Sequence, residues 1–595
     1  MNLYRKDIDG LRAIAVISVI LFHLGYLKNG YLGVDVFFVI SGYLITGIVY
    51  KNSENNTFSL LEFYERRIRR IISLVLFTTF VSLILGILLM LPDDLENLCQ
   101  SVVATNFFSN NILMQITSVD YWDVKNDYKP LMHTWSLGVE EQFYLLFPII
   151  FMILKGNRRK FILPLLIFLS VVSLILFLGS NNAASKFYFI QYRFYELALG
   201  GICAIIFAKN QVQKSASGLF AFLIALMFIL FFKNNFGNDL NVILTTIFTA
   251  GILVLGKNQF QDQYWYKMII CNPLMMGVGK ISFSLYMWHQ IVFAFARYAL
   301  FETITARYAI LLSIVVIFLS ISSYFIIEST FRNKNRIPSK PFFISIFIAF
   351  LITIGSSLYI YMKGGIIKDV PELGLSTSNS SKQLNFFDGE NNINNQYNES
   401  IRALDRPFSE TGKKIKILIF GNSFGRDVAN ILLESSFKNE VEIRYTDIFP
   451  KSENELKKRI QAADYIFLAN KPIDEMIAKY HIQSRKVWIV GTKDFGNSNG
   501  IHYNQKIGDY ATYRTNMKSG VWEKYMEEKK KYGAKYIDLI GAVSNSKGQV
   551  LVFTPDGKFI SQDTRHLTPF GAAFFAQLLD SRWRAILHLQ KGDVK

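Results

Sequence analysis

A chain of 595 residues exceeds what one hydrophobic core organises, and at 51% hydrophobic and 15% aromatic it is too apolar for a wholly water-soluble protein. The net charge of +18 would suit a nucleic-acid partner, but its basic residues recur as short clusters between apolar runs, which argues against nucleic acid. Only Cys99, Cys203 and Cys271 occur and no metal-ligand spacing is present, so neither a disulfide framework nor a metal centre is expected.

In chain order, apolar runs of membrane-spanning length predict eleven spans, at roughly 13–27, 31–50, 71–91, 138–155, 161–179, 188–208, 217–233, 240–256, 281–300, 307–328 and 341–362. Bases fill alternate loops: Arg5, Lys6 and Arg12; Arg66, Arg67, Arg69 and Arg70; Lys155, Arg158, Arg159 and Lys160; and later Arg332, Lys334, Arg336 and Lys340. The loop between the third and fourth spans instead holds Asp93, Asp94, Glu96, Asp120, Asp123 and Asp127. Positive charge inside puts the N-terminus in the cytoplasm, and an odd number of spans delivers everything after about residue 363 to the outside. The first span reads as retained, because Asp7 and Asp9 spoil the basic region of a signal peptide and no small-x-small cleavage site follows.

Residues 374–412, rich in Ser, Asn and Asp, read as a mostly irregular linker. Beyond it KIKILIFGNSF is a short apolar strand ending in a tight turn, followed by a helix over 426–437. The strand-like VEIRY, YIFLA, VWIVG and KYIDL alternate with helices at 453–462, 472–481 and 521–532, and a last helix starts near 569. That alternation predicts a parallel three-layer α/β domain. The expected plan is a membrane domain over 1–340, an additional transmembrane helix at 341–362, a linker to 412 and a soluble domain over 413–595.

Ionisable groups inside a membrane are expensive and mark sites. His23 sits in IAVISVILFHLGYL, preceded on the same helix by Asp9 and Arg12, and its imidazole suits a general base towards a hydroxyl. In GYLGVDVFFVISGYLI the glycines at 30, 33 and 42 allow close helix approach, and Asp35 opens the second span as a further acceptor-site candidate. The run YERRIRR offers Arg66, Arg67, Arg69 and Arg70, whose planar guanidinium groups suit the phosphates of coenzyme A as well as topology. In HTWSLGVEEQFYLLFP the helical spacing puts His133, Ser136 and Glu140 on one face, which fits an acceptor sugar; part of the set serves capping and interface anchoring. Arg193 with Glu196, the aromatic group Tyr286, Trp288 and His289, and Glu328 each read individually as structural.

Taken in order, DGLRAIAV with His23, GYLGVDVFFVISGYLI, RRIRR, HTWSLGVEEQFYLLFP, RFYELALG, ISFSLYMWH and FIIEST-FR resemble the membrane acyltransferase-3 family across about 1–340. The resemblance implies a ten-span bundle that takes acyl groups, usually acetyl, from cytoplasmic acetyl-CoA to glycans outside. It makes His23 the catalytic histidine, supported by Asp9 and Arg12, and brings Arg66 and Arg69 to the CoA. The C-terminal part resembles the SGNH-hydrolase-like domain fused to many members through an extra span. There Ser423, between a strand and a helix, is the nucleophile, His566 its base and Asp563 the orienting acid. Asn422 stands where the family usually has aspartate, its second glycine is missing, and Asn470 is the one candidate asparagine donor to an oxyanion hole. The expected whole is a multi-pass inner-membrane O-acetyltransferase acting on lipopolysaccharide O-antigen or capsule, with peptidoglycan as the alternative acceptor. The rivals are a polytopic transporter with an outer esterase-like domain and an exported esterase.

Overall fold

The computed structural model describes residues 4–117, 124–154, 156–207, 216–232, 236–256, 263–300, 303–379, 397–398, 400–410, 412–447, 452–469, 473–496, 498–505, 510–518 and 520–589. The chain divides into two compact units, Met1–Met90 with Leu95–Tyr359, and Leu91–Asp94 with Ile360–Lys595.

The first unit is helical. Each expected span meets a helix: Lys6–His23, Gly33–Glu54, Leu60–Leu89, Trp135–Ile153, Ile162–Gly179, Ile190–Ile206, Ala216–Phe231, Asn238–Leu255, Ser282–Ala299, Ala306–Ser323 and Ser339–Met362. Among the described residues, however, eight helical stretches rather than eleven are long and apolar enough to cross a membrane. The other three fall short for separate reasons. Lys6–His23 carries Lys6, Asp7, Asp9 and Arg12; Ala216–Phe231 has 16 residues; Ser282–Ala299 mixes His289, Gln290 and Arg297 with its aromatics.

Small residues set the packing, since in lipid helices associate through close backbone contact rather than through hydrophobic exclusion. A Cβ on Gly42 would lie 1.9 Å from the Leu197 carbonyl oxygen, and one on Gly200 2.1 Å from that of Val39. The helices Gly33–Glu54 and Ile190–Ile206 therefore touch backbone to backbone. Gly30 and Gly33 meet Ser18 and Ala15 of the first helix in the same way. Helix Leu60–Leu89 is capped by Ser59, whose hydroxyl accepts from the Glu62 amide at 3.4 Å.

The second unit holds seven described strands: β1 (Ile415–Gly421), β2 (Val441–Thr446), β3 (Tyr465–Ala469), β4 (Val487–Val490), β5 (Arg514–Asn516), β6 (Tyr536–Ile537) and β7 (Gln549–Leu551). Five form a parallel sheet in the order β2-β1-β3-β4-β6, while β5 and β7 make a separate antiparallel pair. The run Ile417–Phe420 is buried on both faces, as parallel strands require. β6 is shorter than KYIDL predicts, because the Asp538 carboxylate turns to accept from the Gly541 amide at 2.7 Å. The helix after β1 starts three residues earlier than expected and spans Ser423–Leu433, with Asn422 as its cap. β1 lies between β2 and β3, so the strand order reverses there, and the carboxyl ends of such strands are where open parallel sheets place their ligands.

Candidate functional site

His23 follows Arg12 by eleven positions, which on a helix is three turns and a small remainder. The two side chains share one face about 16 Å apart along the axis. At the Arg12 end lies an open cavity lined by Arg12, Arg67, Arg70, Ser136, Glu140 and Tyr286, among others. The Asp9 carboxylate holds Arg12 at 3.4 Å and also receives the Tyr4 hydroxyl. The Arg67 guanidinium lies 4.9 Å from the ring centre of Tyr144, whose hydroxyl donates to Glu140 at 2.8 Å. Three guanidinium groups against one lining carboxylate make a surface for a multiply charged anion, and phosphates match guanidinium geometry best.

The structure sorts the expected residues. Arg69 is turned away from the cavity and buried, donating to Glu65 at 2.9 Å, to the Phe331 and Ile337 carbonyls at 3.0 Å each and to Ser339 at 3.3 Å. Every nitrogen of its fork thus holds neighbouring chain. Arg66 is half-exposed beside Glu62 at 3.2 Å and does not line the cavity. Within the expected polar face, Ser136 and Glu140 line the cavity together. His133 does not join them, because it falls in the turn Met132–Thr134 before the helix begins at Trp135. The acceptor candidates Ser136 and Glu140 therefore share their cavity with the arginines expected to meet the donor. Asp35 lies elsewhere, 2.7 Å from Arg193, which also binds Glu196 at 3.0 Å. All three are buried, so Asp35 is one arm of an ion cluster joining two helices.

At the other end of the first helix, His23 is buried beside Phe22, with ring centres 5.0 Å apart, and beside His289 at 5.2 Å. The His133 ring lies 5.1 Å from His289 and 5.2 Å from Tyr286. The Tyr286 hydroxyl pairs with Ser136 at 2.7 Å and donates to the His133 carbonyl at 2.8 Å. Arg297 reaches the carbonyl oxygen of His23. Tyr286 and His289, read from sequence as an aromatic belt, thus stand between the arginine cavity and His23. Asp9, more than three turns from His23, is spent on Arg12 and Tyr4.

In the second unit Ser423 opens its helix directly after β1, at the reversal point of the sheet. The Asn422 side chain accepts from the Phe424 amide at 3.0 Å and its carbonyl from the amides of Gly425 at 2.9 Å and Arg426 at 3.3 Å, so the cap engages the amides that follow Ser423. Gly421 pairs with Ala469 at the end of β3, and a Cβ on Gly421 would lie 2.7 Å from that of Ala469. Asn470, the next residue, lies outside the described residues.

The His566 Nδ1 lies 2.7 Å from an Asp563 carboxylate oxygen, and the same carboxylate accepts from the amides of His566 at 2.8 Å and Arg565 at 3.0 Å. Burial acts to raise the Asp563 carboxyl, but the His566 side chain and these amides outweigh it and hold it well below the usual range. Thr564 between them adopts φ 75°, a left-handed turn that a β-branched residue resists. Asp427, one helical turn after Ser423, accepts from the Leu567 amide at 3.2 Å and pairs with the buried ammonium of Lys493. Burial raises the Asp427 carboxyl and lowers the Lys493 amine, each opposed by the charge of the other. This pair, which sequence reading missed, ties the histidine turn to the serine helix. The i+4 spacing of Asp427 from Ser423 was visible; its lysine, 66 positions away, was not.

The family profile described as an acyltransferase domain, Acyl_transf_3, matches residues 5–362. The O-acetyltransferase OatA of Staphylococcus aureus strain NCTC 8325 is 34% identical over 358 residues, covering 56% of this chain and 58% of that protein, and its counterpart in strain COL matches equally. A relative from strain MSSA476 is 32% identical over 378 residues, covering 59% of this chain and 61% of its own length. The chain thus spans about three fifths of the length of the curated relatives it matches. No solved structure matches it significantly.

Proposed function

Since the chain belongs to the membrane acyltransferase-3 family, we propose that it takes an acetyl group from acetyl-CoA on the cytoplasmic side and passes it to a hydroxyl of an envelope glycan outside. The observation that carries this reading is the cavity where Arg12, Arg67 and Arg70 converge on the helix face that also bears His23. The guanidinium groups hold the phosphates of the donor, and its flexible arm reaches along that face to bring the thioester to His23. His23, in a water-poor setting, either deprotonates the hydroxyl that attacks the thioester carbonyl or takes the acetyl group itself; in both cases the acyl C–S bond breaks and coenzyme A leaves as its thiol.

The second unit then works as an SGNH-like acyl carrier in the extracytoplasmic space. Ser423 attacks the acyl group while His566 takes its proton, and Asp563 holds the imidazole in the required tautomer. The Ser423 amide, at the positive end of its helix, stabilises the oxyanion, with Asn470 as a further donor. His566 gives that proton to the departing group; it then deprotonates a sugar hydroxyl, which attacks the acetyl-serine carbonyl, and the bond from the acyl carbon to Ser423 Oγ breaks as the proton returns to the serine. The multi-pass chain sits in the bacterial inner membrane with its N-terminus in the cytoplasm, a topology supported by the alternation of basic and acidic loops.

Mass spectrometry of envelope glycans tests the reading. His23→Ala and Ser423→Ala each abolish O-acetylation, and a Ser423→Ala strain with full acetylation would remove the serine relay. Transfer of labelled acetyl from acetyl-CoA separates this function from a transporter, which has no use for CoA. Acetyl loss on deletion separates it from an esterase, whose loss would raise acetylation. Fractionating O-antigen or capsule from peptidoglycan names the acceptor by the fraction that loses acetyl.

A further inference from the structure

The imidazole of His23 has no carboxylate to orient it: among the described residues no Asp or Glu side chain hydrogen-bonds to it. The groups that face it electrostatically are His289, His133 and Arg297, and Arg297 is engaged with the carbonyl oxygen of His23. A histidine that acts as base or nucleophile must present its lone pair from one chosen nitrogen, and the partner of the other nitrogen makes that choice.

His289 has the matching vacancy. Its Nδ1 lies 3.2 Å from the Leu285 carbonyl oxygen one turn back on its own helix. A carbonyl only accepts, so Nδ1 carries the proton, and in a neutral imidazole Nε2 is then a bare acceptor. That Nε2 is fully buried and has no hydrogen-bond partner. The ring centres of His289 and His23 are 5.2 Å apart, close enough for facing ring nitrogens to meet through a small side-chain rotation.

The surroundings hold His289 in place for this. The helix Ser282–Ala299 carries Tyr286, which lines the arginine cavity, then His289, then Arg297, which clamps the end of the first helix. The Tyr286 hydroxyl is fixed between Ser136 and the His133 carbonyl, and the His133 ring, whose two nitrogens are also buried without a hydrogen-bond partner, packs 5.1 Å from that of His289.

We propose that His289 is the positioning residue of the membrane site. Its Nε2 accepts the N–H of His23 and so directs the His23 lone pair to the reacting group, the part an acidic side chain plays in a serine hydrolase. This rests on the reading of His23 as the reacting imidazole. No covalent bond is made or broken at His289.

The test uses the full-length protein in native membranes, with labelled acetyl-CoA as donor, and measures kcat and KM for wild type, His23→Ala, His289→Leu and His289→Gln. Glutamine keeps an acceptor oxygen near the position of Nε2, whereas leucine keeps only bulk. His289→Leu is expected to lower kcat by about 100-fold with an unchanged KM for acetyl-CoA, a scale typical of lost histidine positioning. His289→Gln is expected to recover at least about tenfold of that loss. A wild-type kcat in His289→Leu, equal impairment in the leucine and glutamine variants, or a rise in KM overturns the proposal. If the leucine variant fails to accumulate, His289→Gln decides alone: reduced kcat at unchanged KM supports, and wild-type kcat or altered KM overturns. An active His23→Ala would instead sink the reading of His23, which the other variants leave untouched.

Discussion

The four arginines of YERRIRR offer one experiment in which neighbours behave differently for stated reasons. Arg67 and Arg70 line the cavity, and a charge-assisted contact from each to a phosphate is worth about 1.5–3 kcal/mol, so alanine at either raises KM for acetyl-CoA about 10- to 100-fold. Arg66 has a side chain 51% exposed beside a Glu62 that is 61% exposed, and such a pair contributes about 0–0.5 kcal/mol. Arg66→Ala therefore leaves KM and thermal stability near wild type. Arg69, 1% exposed, gives up its bonds to Glu65, two backbone carbonyls and Ser339 together, and its loss destabilises the first unit by about 3–5 kcal/mol. Full-length protein in nanodiscs supplies both readouts, KM from transfer of labelled acetyl and melting temperature from intrinsic fluorescence. A raised KM in Arg66→Ala, with Arg67→Ala and Arg70→Ala at wild-type values, would refute the assignment of the cavity.

Three further outcomes follow from buried charge. Arg193→Leu strands the Asp35 and Glu196 carboxylates without their cation, costing about 3–5 kcal/mol of stability in detergent; Asp35→Asn in the same chain restores part of it, and an unchanged melting temperature would contradict the ion cluster. Asp563→Asn leaves the second unit folded but lets His566 adopt the wrong tautomer, lowering glycan acetylation by as much as about 10⁴-fold; near-normal acetylation would remove Asp563 from the site. Burial holds the His502 imidazole at about 4 against an ordinary 6.5, so between those values the unfolded chain binds more protons than the folded one. Stability is then full above pH 6.5 and falls by about 3 kcal/mol as pH drops through the window. His502→Phe flattens that fall in urea titrations of the full chain, and parallel curves for the two proteins would show that His502 is not its source.

What sequence reading reached, and where it stopped, follows from how far each signal travels along the chain. The strand–turn–helix at GNSF is local, so β1, the Asn422 cap and Ser423 were legible together; Asp563 and His566 lie three apart and were legible for the same reason. Even the choice among the arginines left a trace. Phe63, Arg67, Arg70, Ile71 and Leu74 fall on one helical stripe, and Phe63, Ile71 and Leu74 are buried. Arg69, however, falls on the stripe of Ser73 and Leu76, which is buried as well, so periodicity alone found two faces and could not tell which one met open space. The ion pair of Asp35 was out of reach because its partner Arg193 is 158 positions away, and His133 leaves the expected face because a turn replaces the helix that spacing assumed.

The aromatic segment ISFSLYMWHQ shows what kind of observation separates packing from chemistry. An interfacial belt accounts for Trp288, whose indole N–H donates to Ser323 at 2.8 Å, and for Tyr286, whose hydroxyl has two partners. It likewise accounts for Glu328, which receives the Ser284 hydroxyl. Each of these groups has what a buried polar atom needs, and structure alone explains its presence. His289 and Gln290 differ in that each keeps one buried acceptor without a partner, Nε2 of His289 and Oε1 of Gln290, whose amide nitrogen donates to the Lys129 carbonyl at 3.2 Å. An unpaired acceptor is costly to retain in a low-dielectric interior, and His289 is the one of the two whose ring lies against His23, with ring centres 5.2 Å apart. Residue type and position could not make that distinction, because tyrosine, tryptophan and histidine all suit a membrane boundary. The bare Nε2 together with the nearness of the His23 ring turns one member of an aromatic belt into a candidate part of the acyl-transfer machinery.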